Sequence, residues 1–499
     1  MMKYQTFLKQ ASSLSKPLIG ILFGFNLFFI SYSFQKHAAF QTNGFDLGIW
    51  DQMTWNTLQG RPFWLTQHSD TINGLSDHVE LILLLIFPLY GLYNGPELLL
   101  ILQSLLASLG ALPIYWFAKS RLGTEKAGLV FASVYLLYPA LGAALTFDVH
   151  SLTIAVPLLT YALWAMYMRY YRLFITMACL ALICKEDISL LIFMMGLYIL
   201  LQQRAFKLGL MTMVGALTWF FIAVFVIIPF FREGESEYIY RYNEWGDTIS
   251  QIMINVTTQP WRVLQVIFEG DKLLYWIRFT MPVFFTALLD PLTLLLAAPL
   301  MLINTLGNYP AAYQLDLFHN SAPLAAYVVF ASINGVVRII EFAKPRLKHV
   351  RPGFLQNLLL IMVFVVTLVY QFQFGHTPIG RYFNWPIVTN HHQTAKIMLD
   401  QIPPQASVAS QNNLAPRLSH RPWLFVLPTT GYQEIEADYI AMDLEGNFDH
   451  HGSLVRFCDQ LNELLGHPEY GLIFAEDGLL LFQRGVSDSA TFEPRSPCL

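Results

Sequence analysis

Apolar runs of membrane length recur along most of the chain, and nothing else constrains its fold as tightly. A helix needs about 20 mostly apolar residues to cross a bilayer, with a range of about 17–25. Runs near that length occupy residues 17–34, 97–118, 127–146, 152–168, 208–231, 321–341 and 354–374. Two shorter runs, 173–184 and 188–201, flank Lys185-Glu186-Asp187, and two more, 273–289 and 292–306, flank Asp290-Pro291. Together they predict a mostly α polytopic helix bundle of about 11 spans. Charged residues make up 13% of the chain, against about 25% in a soluble domain. The net charge of −4 argues against nucleic acid as a partner.

The basic residues orient the bundle. Lys3, Lys9 and Lys16 precede the first run, which places the N-terminus in the cytoplasm by the positive-inside rule. No small-residue cleavage site follows, so the run reads as an uncleaved anchor. The loops with Lys119, Arg121 and Lys126, and with Lys344, Arg346, Lys348 and Arg351, fall on that side only if residues 79–93 do not cross. That run has about 15 residues, short for a span, and is expected to lie as a helix at the outer surface. Outer loops then cover 35–96 and 232–272, and the C-terminus is extracytoplasmic.

Beyond residue 374 the character changes. The segment is polar, with strand-like runs ASVAS, WLFVLP, ADYIAMDL and YGLIFAEDGLLLFQ. Helical patterns at 391–401 and 453–465 alternate with them. This predicts a small soluble α/β domain over 375–499, appended to a transmembrane domain over 1–374. Cys458 and Cys498 are placed to pair if that domain is extracytoplasmic. No cysteine or histidine cluster has zinc spacing.

Ionisable residues near membrane depth are costly and are functional candidates by default. The first set lies in the outer loop at 44–78, which also holds His68 and Asp70. Its members are Asp46, Asp51, Asp77 and His78. Five residues separate Asp46 from Asp51, which on an α-helix points them about 140° apart, so they are not a paired dyad. The bland alternative for Asp46 is an N-cap. Asp148 and His150 form the second set, Asp148 being equally suited to cap the next helix. In the third set, Lys185, Glu186 and Asp187 sit between short helices, which suggests a cavity open to the outer face. A buried Lys–Glu pair is the alternative there. Arg278, Asp316 and His319 make the fourth, where His319 has a structural alternative. No phosphate-binding loop, dinucleotide fingerprint or nucleophile elbow is present. No cofactor is demanded. The outer carboxylates are the groups that would hold Mg²⁺ or Mn²⁺, though none has ligand spacing.

Several stretches in order resemble a known family: FDLGIWDQMTWNTLQGRP, the segment 77–90, LLYPAL followed by FDVHS, CKED, HNSAP and SQNNLAPRLSHRP. The chain resembles the GT-C superfamily of integral membrane glycosyltransferases, which use polyprenyl-phosphate sugars. Within it, the chain looks most like a bacterial family of predicted membrane proteins of unknown function. The resemblance implies a bacterial inner or plasma membrane and a polyprenyl-phosphate sugar donor. The acceptor, whether glycan, lipid or protein, stays open. It implies that Asp46, ahead of the Leu58-Gln59-Gly60 turn, is the catalytic base or acceptor-orienting carboxylate, and that Lys185 holds the lipid phosphate. Asp77-His78 and His319-Asn320 depart from the superfamily pattern, which leaves the roles of His78 and His319 open. Inverting transfer needs a carboxylate to take the acceptor proton and cations to stabilise the departing phosphate. A transporter or flippase is the competing reading, since broken helices and intramembrane charges also suit transport. A non-catalytic membrane assembly protein is the third.

Overall fold

The structure is a computed structural model that describes residues 15–67, 71–234, 236–346, 352–427, 436–446 and 454–492. Lys3, Lys9, His68, Asp70, Lys348, Arg351 and Cys498 lie outside the described residues. The chain forms two compact units. One contains Met1–Ile30, Asp77–Ile82 and Leu102–Asn384; the other contains Ser31–Ser76, Leu83–Ile101 and Trp385–Leu499.

The first unit is a bundle of apolar helices. Among the described residues, five helices are long and apolar enough to cross a membrane: Lys16–Ala38, Pro96–Leu122, Phe206–Arg232, Leu324–Ala343 and Gly353–Phe374. A sixth span results if Glu125–Leu136 and Pro139–Phe147, bent by 47° at their break, count as one. Burial separates them into inner and outer helices. The apolar window of Leu324–Ala343 is 78% buried, whereas those of Lys16–Ala38 and Phe206–Arg232 are 17% and 22% buried. Outer helices expose Phe23, Leu27, Leu210, Met211 and Val214, side chains that water disfavours and lipid accepts.

The span expectation needs revision at several points. Ser151–Tyr167, Tyr171–Leu182 and Ile188–Leu201 are apolar helices of only 10–17 residues. The stretch 273–306 holds no membrane-length helix. Helix Gly270–Thr280 gives way to single turns at Met281–Val283, Thr286–Leu289 and Pro291–Leu295 before Ala298–Leu306. Pro282, Pro291 and Pro299 each remove a backbone donor and fix φ, and Phe284 and Phe285 turn left-handed, at φ 55° and 53°. Hydropathy does not register such breaks. Asp290, at one of them, is held by Arg338 at 2.9 Å and by the Asn334 amide at 2.7 Å, both from helix Leu324–Ala343. Residues 79–93 do not form one surface helix either. They give a turn of α-helix at Leu83–Ile86 and a 3-10 turn at Phe87–Gly91, with Leu85, Leu92 and Tyr93 exposed. The second outer segment, expected as a loop, is largely helical: Ile249–Thr258, Pro260–Ile267 and the start of Gly270–Thr280.

The second unit is built on a five-stranded sheet. Its strands are β1 (Val408–Gln411), β2 (Leu424–Leu427), β3 (Tyr439–Asp443), β4 (Tyr470–Glu476) and β5 (Leu479–Arg484), in the order β2-β1-β3-β5-β4. β1 runs parallel to β2 and β3, while β5 is antiparallel to β3 and β4. Helices cover both faces. Ala395, Met398 and Leu399 of Asn390–Leu399 pack on Val408, Val426 and Leu481. Phe457, Leu461 and Leu464 of Leu454–Leu465 pack on Ile440, Leu472 and Phe482. Cys458 is disulfide-bonded. Phe40 and Phe45, from the N-terminal part of the chain, join the first of these cores. The α/β domain expected over 375–499 therefore has partners from elsewhere in the sequence.

Candidate functional site

In the helical unit the segment 77–82 carries the polar residues. Its Ile82 N–H donates to the Ile183 carbonyl at 2.8 Å, laying it along the junction between helices Tyr171–Leu182 and Ile188–Leu201. His78 Nδ1 lies 2.8 Å from Glu186 Oε1, and the Val79 N–H donates to Glu186 Oε2 at 3.1 Å. Glu186 thus pairs with His78, not with Lys185, which disposes of the buried Lys–Glu alternative. Burial would push the Glu186 carboxyl up, but the charge and hydrogen bond of His78, with Lys185, hold it below the ordinary carboxylate value. Asp77 accepts from Arg232 at 2.9 Å, and His78 stacks on Tyr238 with ring centroids 5.0 Å apart. Buried Glu80 accepts from the Ser151 hydroxyl, and burial pushes its carboxyl up.

Beside these lie Asp148, His150 and His319. The His150 and His319 rings stack at 3.4 Å, flanked by Phe147. Burial, with the charges of His150 and Lys185, holds His319 well below its ordinary value. Among the described residues, His319 Nδ1 and Asp187 Oδ1 are buried without a hydrogen-bond partner. The Lys185 ammonium makes no hydrogen bond or ion pair among the described residues, yet its charge acts on Glu80, Glu186, Asp187 and His319. One buried acceptor, one imidazole nitrogen and one cation are thus uncommitted within a cluster whose other charges are paired. Arg278 has a separate partner, Asp316 at 4.0 Å, and packs over Phe374.

In the sheet unit, Asp46 lies in a π-helical turn, Gly44–Gly48, that continues into helix Ile49–Leu58. Asn43 occupies the N-cap position, and its carbonyl accepts from the N–H groups of Asp46 and Gly48 at 3.3 and 3.1 Å. Asp46 is therefore inside the first turn, where the helix dipole favours an anion, and is not the cap. The α-helical phase between Asp46 and Asp51 does not carry through a π-turn, but their surroundings do differ: Asp46 is part-exposed and Asp51 fully buried. The helix ends at the expected turn, with Gln59 as C-cap and Gly60 at φ 79°, a conformation that favours glycine.

Asp51 accepts from the Tyr90 hydroxyl at 2.6 Å, from the Ser419 hydroxyl and from His420 Nε2 at 3.2 Å. His420 stacks on Trp55. The loop 410–422 is tied to the first outer loop at further points. The Gly44 N–H donates to the Asn412 carbonyl at 2.8 Å, and the Trp64 indole to the Pro422 carbonyl at 3.0 Å. Gly44 is needed there: a Cβ would stand 2.7 Å from that of Ala415. The stretches FDLGIWDQ and SQNNLAPRLSHRP, 350 or more residues apart, are two halves of one structure.

Sequence reasoning singled out His78, Glu186, His150 and His319 but in four separate sets; the structure pairs His78 with Glu186 and stacks His150 on His319. Sequence reasoning passed over Glu80, Ser151, Arg232, Tyr238, Ser419 and His420. Glu80 was the most accessible of these, a lone acid opening an apolar run.

The fold is that of a polytopic membrane protein with an appended sheet. Residues 36–481 match the family described as predicted membrane protein (DUF2079), and the chain belongs to that family. The fold resembles the crystal structure of ArnT from Cupriavidus metallidurans bound to undecaprenyl phosphate. The TM-score is 0.54 at 12% identity, covering 96% of this chain and 100% of that one. The apo form of ArnT gives 0.50 at 12% identity, covering 88% and 93%. None of the curated proteins matches the chain in sequence.

Proposed function

We propose that the protein is a membrane glycosyltransferase that moves a sugar from a polyprenyl-phosphate donor to an acceptor hydroxyl on the extracytoplasmic face, with inversion. One observation carries this reading: Lys185 is an uncommitted cation, at the junction of two short apolar helices, in a fold shared with a protein crystallised with undecaprenyl phosphate. Asp46 takes the acceptor proton as general base. The freed oxygen attacks the anomeric carbon, and the bond to the phosphate oxygen breaks with its electron pair passing to the phosphate. Lys185 stabilises that charge. Asp77, His78, Asp148, His150, Glu186, Asp187 and His319 shape the donor site, and Arg278 borders it. Asp51, buried under three donors, holds the first outer helix in place and is not assigned to the chemistry.

The test uses purified protein in detergent. Undecaprenyl phosphate should raise the melting temperature of the wild type and not that of Lys185→Met. In a transfer assay with a polyprenyl-phosphate sugar as donor, Asp46→Asn should lose about 10²–10⁴-fold in turnover, the usual contribution of a general base, with its melting temperature kept. Equal lipid response in the Lys185→Met protein would remove the donor site as drawn. Wild-type turnover in Asp46→Asn would remove the base.

A further inference from the structure

We infer that His391, Glu445 and Asp477 form a binding site for a divalent transition-metal cation of the zinc class on the sheet unit. Three separate segments converge there. His391 is in the first turn of helix Asn390–Leu399, Glu445 follows the end of β3, and Asp477 is at the β4–β5 turn. His391 Nδ1 lies 3.1 Å from Asp477 Oδ2 and 3.8 Å from Glu445 Oε2, and the three ligand atoms lie within 4.8 Å of one another. Two donors bound at the usual zinc distances of 2.0–2.2 Å in tetrahedral geometry stand about 3.4 Å apart, so the spacing suits an ion between them.

The second ring nitrogen supplies an independent argument. His391 Nε2 is 3.1 Å from Asp443 Oδ1. A neutral imidazole has one N–H, and here both nitrogens face carboxylate oxygens. Either a proton or a cation must sit on the second. With Nε2–H donated to Asp443, the Nδ1 lone pair is aimed at the two outer carboxylates, the carboxylate–histidine–metal arrangement that orients metal-bound imidazoles. Asp443 is itself fixed. It is 3% exposed and accepts from the Asn413 amide and from the Glu445 N–H, each at 2.9 Å. Asn413, only 8% exposed, keeps its Oδ1 without a donor among the described residues, while its amide holds the second oxygen of Asp443. The imidazole nitrogen selects zinc-like ions over Mg²⁺ or Ca²⁺, which prefer all-oxygen sites.

The inference stands apart from the transfer reading, because its readout is metal binding. Full-length protein in detergent, stripped with a chelator, is titrated with Zn²⁺ by equilibrium dialysis. The wild type should hold one tight Zn²⁺ per chain, and His391→Gln none. Asp477→Asn, on an exposed turn where folding is not at stake, should weaken binding at least tenfold. X-ray absorption of the wild-type complex should show only nitrogen and oxygen neighbours. No tight Zn²⁺ in the wild type would overturn the site and leave a protonated His391 between its carboxylates. Wild-type binding in both variants, or a sulfur shell from Cys179 or Cys184, would overturn it equally.

Discussion

The polar residues of the two units are satisfied to different degrees. In the sheet unit, Asp51 is fully buried and receives Tyr90, Ser419 and His420. In the helical unit, Asp77, His78, Glu80 and Glu186 are paired, but Lys185, Asp187 Oδ1 and His319 Nδ1 are not, among the described residues. A saturated network stabilises and specifies a fold; an unsaturated one costs stability unless a ligand completes it. The difference supports the proposal that Asp51 is architectural and that the Lys185 cluster binds a ligand.

Three experiments would break or sharpen that division. The largest effect is expected at Asp51. Asp51→Ala leaves His420 and two hydroxyls without their acceptor, and losing one member of a buried ion pair costs about 3–5 kcal/mol. Chemical denaturation followed on the sheet unit should show that loss. A cost below about 1 kcal/mol, the range of exposed pairs, would mean the network is not saturated as described. Lys185→Met should behave oppositely. It removes a cation that makes no hydrogen bond or ion pair among the described residues and acts on Glu80, Glu186 and Asp187 only through its charge, so it should cost less stability than Asp51→Ala, while the lipid response disappears. A large destabilisation would show that Lys185 is structural after all.

The smallest effect concerns pH. Burial pushes His420 down, but the charge and hydrogen bond of Asp51 outweigh it and leave the imidazole above its ordinary value of 6.5. A raised folded-state pKa means the folded form binds the proton more tightly than the unfolded form. The contribution is therefore complete below pH 6.5 and is lost as pH rises through the raised value. Melting temperatures recorded upward from pH 6 should fall more steeply for the wild type than for His420→Gln. Identical slopes would remove the His420–Asp51 pair from the stability of this unit.

The amino-acid sequence by itself determined the class of element for the long apolar helices and for most strands of the sheet, but not at 79–93, 232–272 or 273–306. Apolar runs of membrane length mark the helices, because length and apolarity are local properties that a bilayer reads directly. The short runs ASVAS, WLFVLP and ADYIAMDL mark three strands of the sheet, because strands buried on both faces read as near-continuous apolar or small residues. The short helices around Lys185 were legible for the same reason. Tertiary structure alone decided the partners. His78 meets Glu186 across 108 positions and Asp51 meets His420 across 369, and no local periodicity encodes a pairing between residues so far apart. It also decided where long apolar runs stop being spans. Hydropathy reports only that 273–306 is apolar; the chain breaks there because prolines deny backbone donors, and Asp290 holds the break because Arg338 and Asn334 of another helix reach it.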